Sequence, residues 1–469
     1  MSRFAVLGLV LLLAAAACSE QVPAPVTPTP SPRPGYPPTP ATALPEGVLL
    51  AQRSPMSKPP MLAIDTTGGV HAYNWDFVIS VSPEQSRAIV VRSNRMGGFE
   101  EIALLDGFVE TAIASEDWGF KAGDPWPNLL WSADGKRLAY SSPVNPSPDR
   151  TDVWTVIVGG GEPANITAAA EPDYYYPVAW TAPNEVLVRG NSRLLVAGDD
   201  LREIPFPESN QVLDFAVSPD GRRGGMIMGS YEEHPDYPGY SLARATALWA
   251  LDVPTGAWAR LKDLGGAEWQ PWIGATMSWS PDGGRLAYYE TYQDGGGGLI
   301  RSGLSVIDAE TGEETRLHDQ GQWPHAWTHD GKYLAYSYET REEGAAARTT
   351  VGIFGPDGKT RETSLLARGM AWTAQSRLLV QTPAGLSTLD PVTLAETEVL
   401  TDEGEPVRAQ LGFDGRDTLI WSPSGRYIAA ATPGDQYIAS SLYIIDTQEG
   451  VARLFYDRAG FYPLAWLRE

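Results

Sequence analysis

WSPDGGRLAYYE, residues 279–290, is the stretch on which the fold turns. Its Ser-Pro-Asp-Gly core reads as a tight turn: proline presets φ, glycine accepts positive φ, and the Asp side chain bonds back to the backbone two residues on. The apolar residues ending in Trp279 read as one strand and Arg-Leu-Ala-Tyr as the start of the next. The same spelling returns as WSADGKRLAYSS from Trp131, WTHDGKYLAYSY from Trp327 and WSPSGRYIAAAT from Trp421. Weaker copies are VSPEQSRAIVVRS from Val81, WTAPNEVLVRG from Trp180, VSPDGRRGGMIM from Val217 and WTAQSRLLVQTP from Trp372. A second module, strand then Asp-led turn then strand, follows in several copies: LAIDTTGG from Leu62, LWALDVPTG from Leu248, LSVIDAETG from Leu304 and LYIIDTQEG from Leu442.

Internal repeats of this size mean a propeller or a solenoid, and four strands per unit without intervening helix is the pattern of propeller blades. The ends complete the argument. FYPLAWLRE at 461–469 supplies an innermost strand with nothing after it, and EGVLLAQ from Glu46 lacks one before it. Joining the two closes the ring through a blade shared by both termini. Counting gives nine strand sets, but propellers typically hold four to eight blades. The expectation is therefore an all-β propeller of eight blades, within a range of seven to nine, with the short first set around Leu62 to Val81 merged or irregular.

The W-S-P-D-G-(K/R)-x-L-A-Y segments resemble the repeats of TolB-type propellers, also found in the propeller domains of prolyl oligopeptidase relatives. The resemblance covers nearly all of residues 46–469. It implies a packing scaffold and, by analogy, docking of a protein or peptide. TolB proper is a soluble periplasmic protein with an added N-terminal domain, so the analogy does not assign this chain to that system.

The N-terminus has a different character. Arg3, the apolar run Phe4 to Leu13 and the alanines up to Ala17 have the order of a signal peptide, and the run is short of the about 20 residues a membrane span needs. Cys18, the only cysteine, follows Ala15–Ala17 directly. This resembles a bacterial lipobox, which implies cleavage before Cys18 and acylation of it. Several acyl chains hold a protein on a bilayer where one binds reversibly. With a single cysteine no intrachain disulfide forms, so stability rests on the core. In a two-membrane host, Ser19 beside the lipidated cysteine resembles an outer-membrane sorting signal. Residues 18–45 are proline-rich with little to bury and read as an extended stalk. The expected organisation is signal peptide 1–17, lipidated stalk 18–45 and propeller 46–469, exported and tethered outside the cytoplasm.

A net charge of -23 repels nucleic acid and anionic lipid, leaving the lipid anchor as the expected membrane contact. Prolyl oligopeptidase relatives carry a Gly-x-Ser-x-Gly nucleophile turn. No such pentapeptide occurs here, and SPSGR around Ser424 has glycine on one side only. Asp134, Asp220, Asp282 and Asp330 hold the same place in their repeats and so read as turn-formers. His325 and His329 flank Trp327 at a spacing that suits a metal, but a strand followed by a turn puts them at different ends and faces. YQDGGGGLIRSG from Tyr292 lacks the ending of a phosphate loop and reads as a flexible hairpin loop. No catalytic residue, metal site or cofactor is expected.

Binding is placed on the face where the loops between second and third strands open. Three such loops are expanded in consecutive units, after Gly229, Glu290 and Glu339, and expanded loops on a rigid scaffold are favoured sites. Aromatics gather at the entry to the innermost strands: Trp126, Tyr176, Trp323 and Tyr462, each before a proline, with Trp269 and Trp272 near the equivalent place. Trp118, Phe120 and Tyr174 are less repetitive. Such rings suit a peptide or a sugar. The expected function is non-catalytic binding of a protein or peptide in the cell envelope. The alternative is a carbohydrate binder or lyase-like propeller acting on glycan.

Overall fold

The computed structural model describes residues 42–53, 61–93, 99–113, 128–144, 147–191, 193–208, 211–233, 241–269, 277–293, 300–318, 325–340, 348–365, 370–382, 384–407, 419–432, 441–456 and 461–468. Cys18, the leader and most of the expected stalk lie outside them. The described residues form nine sheets, eight of four strands and one of five, none closed on itself.

The sixth sheet shows how the repeat builds a blade. Its strands are Met277–Trp279, Arg285–Gln293, Ile300–Asp308 and Glu314–His318, hydrogen-bonded in that order. Successive side chains of a strand point to opposite faces. Leu286 and Tyr288 accordingly join a core with the fifth blade, while Ala287 and Tyr289 join one with the seventh. Leu-Ala-Tyr is thus apolar on both faces because both are covered. Nine such cores lie between successive blades, the last uniting the ninth blade with the first. Each large apolar side chain fully buried there contributes about 1.5–3 kcal/mol.

The first blade is assembled from both ends of the chain. Phe461–Leu467 is its innermost strand and pairs with Val48–Arg53, from Val48 opposite Leu467 to Arg53 opposite Phe461. Met61–Ile64 and Val70–Tyr73 complete it. Gly47, with φ of 63°, lets the chain enter, since an added Cβ would meet the Leu467 carbonyl. Ahead of Glu46, Leu44 is 2 % exposed and Thr42 donates to the Leu454 carbonyl at 3.2 Å.

The propeller expectation holds, and the described residues form nine blades, the upper end of the expected range, and not the preferred eight. The stretch Leu62 to Val81, expected to merge, divides instead: Met61–Ile64 and Val70–Tyr73 finish the first blade, and Phe77–Val81 opens a second with three strands of its own. The literal count of strand sets was correct, and the usual upper limit of eight misled.

The Ser-Pro-Asp-Gly segments fold as one repeated device. In the third blade the Ser132 hydroxyl donates to Asp134 at 2.7 Å and accepts from the Arg137 N–H at 2.9 Å, while the Lys136 N–H reaches Asp134 at 3.1 Å. Ser218 with Asp220, Ser280 with Asp282 and Thr328 with Asp330 repeat it. The marker tryptophans bind one blade to the previous one: Trp180 donates to the Leu130 carbonyl, Trp279 to Ala216, Trp327 to Ser278 and Trp372 to Ala326, at 2.8–3.3 Å. Because innermost strands run toward these turns, all such turns share one face, the turn face. Both ends of the described chain lie there, as the pairing of Val48 with Leu467 requires. Hairpins between second and third strands open on the opposite, entry face.

Candidate functional site

The entry face is uneven. In the fourth and eighth blades the second-to-third hairpins are short: Glu185–Arg189 with Leu194–Ala197, and Leu378–Gln381 with Leu386–Leu389. In the fifth, Arg223–Glu233 pairs with Ser241–Asp252 throughout, up to Glu233 opposite Ser241. Arg285–Gln293 with Ile300–Asp308 lengthens the sixth blade, while Leu334–Thr340 with Arg348–Phe354 in the seventh matches the second blade's Arg87–Ser93 with Phe99–Asp106. The segments read from sequence as loops after Gly229, Glu290 and Glu339 therefore begin and end as paired strand, including Tyr292 of the glycine-rich stretch. The tips at 234–240, 294–299 and 341–347 lie outside the described residues. A long hairpin sequence reading missed, Arg137–Val144 with Ser147–Ile157, rises from the third blade.

Beside these hairpins, the run DYYYP leads into the innermost strand of the fourth blade, Tyr176–Ala182. Pro177 is tolerated because an innermost strand is an edge and needs no donor toward the channel. The third blade fixes the run: Thr151 N–H donates to the Asp173 carbonyl at 3.2 Å, Tyr175 N–H to the Thr151 carbonyl at 3.1 Å, and the Thr151 hydroxyl to the Tyr175 carbonyl at 3.0 Å. Tyr175 is buried, its hydroxyl donating to the Glu171 carbonyl at 2.8 Å, and this leaves Tyr174 42 % exposed. Tyr176 is half-buried and stands opposite Arg189 in the ladder. The Arg189 guanidinium lies 5.8 Å from the Tyr176 ring and 5.9 Å from the Phe215 ring of the fifth blade. Burial raises the Tyr176 hydroxyl pKa, with Arg189 opposing and Asp173 adding to the rise.

Of the residues expected from sequence, Tyr174 and Tyr176 come together here. Trp269 ends an outermost strand opposite Ala243, and Tyr462 lies on an innermost strand opposite Gln52. Trp118, Phe120, Trp126, Trp272 and Trp323 lie outside the described residues. Arg189 and Phe215 went unnoticed in the sequence. A register comparison would have found Arg189: three residues past the partner of each marker, the other blades carry Val91, Ser141, Ile227, Tyr289, Ser337, Gln381 and Ala431. No other motif copy places a charge there.

The turn carboxylates are occupied structurally. Hydrogen bonds from Lys332 and Thr328, with the Lys332 charge, outweigh burial and hold Asp330 down at about 2. The Ser132 hydroxyl and the Lys136 N–H lower Asp134. Burial opposes ionisation of Asp282, but Ser280, Gly284 and Arg285 prevail and lower it too. His325 begins a strand and His329 sits exposed in the following turn. Among the described residues no group of three or more His, Cys, Asp or Glu is placed to hold a metal ion, and no helix is long and apolar enough to cross a membrane.

No family model matches the chain, and no curated protein does. Solved structures resemble it. The crystal structure of a eukaryotic initiation factor is 14% identical with a TM-score of 0.53, the match covering 89% of this chain and 97% of that one. The β-propeller domain of the Trilobed protease from Pyrococcus furiosus, of open velcro topology, is 11% identical with a TM-score of 0.39, covering 79% and 93%. TolB from Acinetobacter baumannii is 16% identical with a TM-score of 0.27, covering 72% and 84%. At such identities the likeness speaks for the fold alone.

Proposed function

We propose that this propeller is a non-catalytic docking platform for a protein or peptide of the cell envelope, held at the membrane by acylated Cys18. The observation that carries the docking reading is the set of elongated hairpins on the third, fifth and sixth blades, which flank Tyr174 and Tyr176 on one face. Strands lengthened beyond what the blade cores need offer exposed backbone edges and side chains on a rigid base, a form suited to peptide recognition. Tethering rests on the sequence of residues 1–18.

Crosslinking capture in the native envelope tests the reading, comparing the intact chain with one whose three hairpins are cut back. A partner captured by the first and lost from the second supports docking. Co-purification of polysaccharide with no protein partner supports the glycan reading in its place. Labelling with radioactive palmitate, abolished by Cys18→Ala, tests the anchor separately.

A further inference from the structure

In the entry face, Arg189 is the one arginine among the described residues whose buried nitrogen, Nε, meets no hydrogen-bond acceptor. A buried charged donor left unsatisfied costs more than a formed bond returns, so its retention needs a reason beyond folding. No carboxylate among the described residues accepts from Nε; Asp173 Oδ1 takes the Tyr174 N–H at 2.7 Å and Asp214 Oδ1 the Phe215 N–H at 2.8 Å. Tyr176 and Phe215 flank the guanidinium, and all three side chains stay partly open to solvent. The charge also breaks the repeat, at a register where the other motif copies carry apolar or uncharged residues.

We propose that Arg189, walled by Tyr176 and Phe215, is the carboxylate-recognition point of the docking surface and takes an acidic side chain or free C-terminal carboxylate of a peptide. The proposal rests on the docking reading and names its ligand chemistry. A planar guanidinium matches a carboxylate's two oxygens, and the two rings suit the apolar stem that carries it. One arginine matches one negative charge. A protein of net charge -23 repels a polyanion such as a polyuronate.

The test titrates the full chain with fluorescent, N-capped pentapeptides. One has a single Glu and an amidated end, a second has Gln in its place, and a third has alanines with a free C-terminus. The wild type is expected to prefer a carboxylate-bearing peptide over the Gln peptide by about tenfold or more, the scale of one charge-assisted hydrogen bond. Whether the Glu or the free-end peptide gains separates the two carboxylate sources. Arg189→Gln abolishes the preference and Arg189→Lys keeps part of it. Thermal stability of both stays close to the wild-type level, because no hydrogen bond among the described residues is lost and only the contacts with the two rings change. Equal binding of all three peptides by the wild type overturns the proposal. So does a preference that survives Arg189→Gln, or Arg189-dependent binding of oligogalacturonate alone. A partner captured through the hairpins but unaffected by Arg189→Gln removes the carboxylate point and leaves docking intact. Arg189-dependent peptide binding without any hairpin-dependent capture does the reverse.

Discussion

Glu46 supplies to the ninth blade the carboxylate that its own turn lacks. Where sister turns place Asp, WSPSGR has Ser424, and Glu46 Oε1 accepts the Ser424 hydroxyl at 2.6 Å and its N–H at 3.1 Å. The Glu46 carbonyl also receives the Trp466 indole N–H at 2.7 Å, so one residue ties the first strand to the last and to the neighbouring blade. Beside it, Glu46, Gly47, Pro423, Ser424 and Arg468 line a cavity of about 260 Å³.

Glu46→Ala is expected to cost about 1 kcal/mol, the net scale of a partly exposed charged hydrogen bond, with Glu46→Gln costing less. Burial opposes ionisation of Glu46, yet bonds from Ser422 and Ser424 and the nearby Arg468 lower its pKa below 4.5. Its contribution is therefore complete above pH 4.5 and lost as pH falls through the lower folded value. Urea midpoints of wild type and variant, converging as the medium is acidified, are the expected result.

Tryptophans in the same register divide into two energetic classes. Trp327 donates to the Ser278 carbonyl at 3.3 Å, whereas the buried Trp131 indole N–H has no acceptor among the described residues. Trp327→Phe strands a carbonyl and is expected to cost about 1–3 kcal/mol. Trp131→Phe removes an unsatisfied donor and should cost clearly less. Denaturant midpoints of the two variants compare them directly.

Gly352 is required by a tyrosine. The Tyr336 ring lies against it, so an added Cβ would clash with the ring Cζ, and the Tyr336 hydroxyl donates to Glu362 at 3.2 Å. Gly352→Ala is expected to displace the ring and cost about 1–3 kcal/mol. The combined variant Gly352→Ala with Tyr336→Ala should recover part of that clash beyond additivity, read as a double-mutant cycle.

Acid should weaken the turn face. Asp134, Asp282 and Asp330 are all held below 3.8, Asp330 at about 2. Their stabilising contribution is complete above pH 3.8 and declines as pH falls toward 2. Melting temperature should fall steeply over that interval, and Asp330→Asn should flatten the slope while lowering stability at neutral pH.

Much of the architecture could be read from one local device. Ser132 and Asp134 close a turn through bonds spanning five residues, so the twelve-letter motif carries its own explanation, and its recurrence with Leu-Ala-Tyr fixes strands covered on both faces. Closure by Phe461–Leu467 was legible because an unpaired innermost strand at one end matched a deficit at the other. Blade number was not, since no single blade shows how many others share the ring. The site was less visible still. Tyr174 stood out as a non-repeating aromatic, but Arg189 looks ordinary within EVLVRG until its rung is aligned with those of its sisters. Glu46 depends on Ser424, a neighbour only after the ring has closed.

The pairing of Val48 with Leu467 gives the molecule a front and a back. The chain enters on the turn side, with Leu44 already packed there, while the long hairpins and Arg189 open on the other side. Strand closure and chain entry therefore take up no space on the hairpin side, and a partner seated on Tyr174 and Arg189 would meet neither described end of the chain.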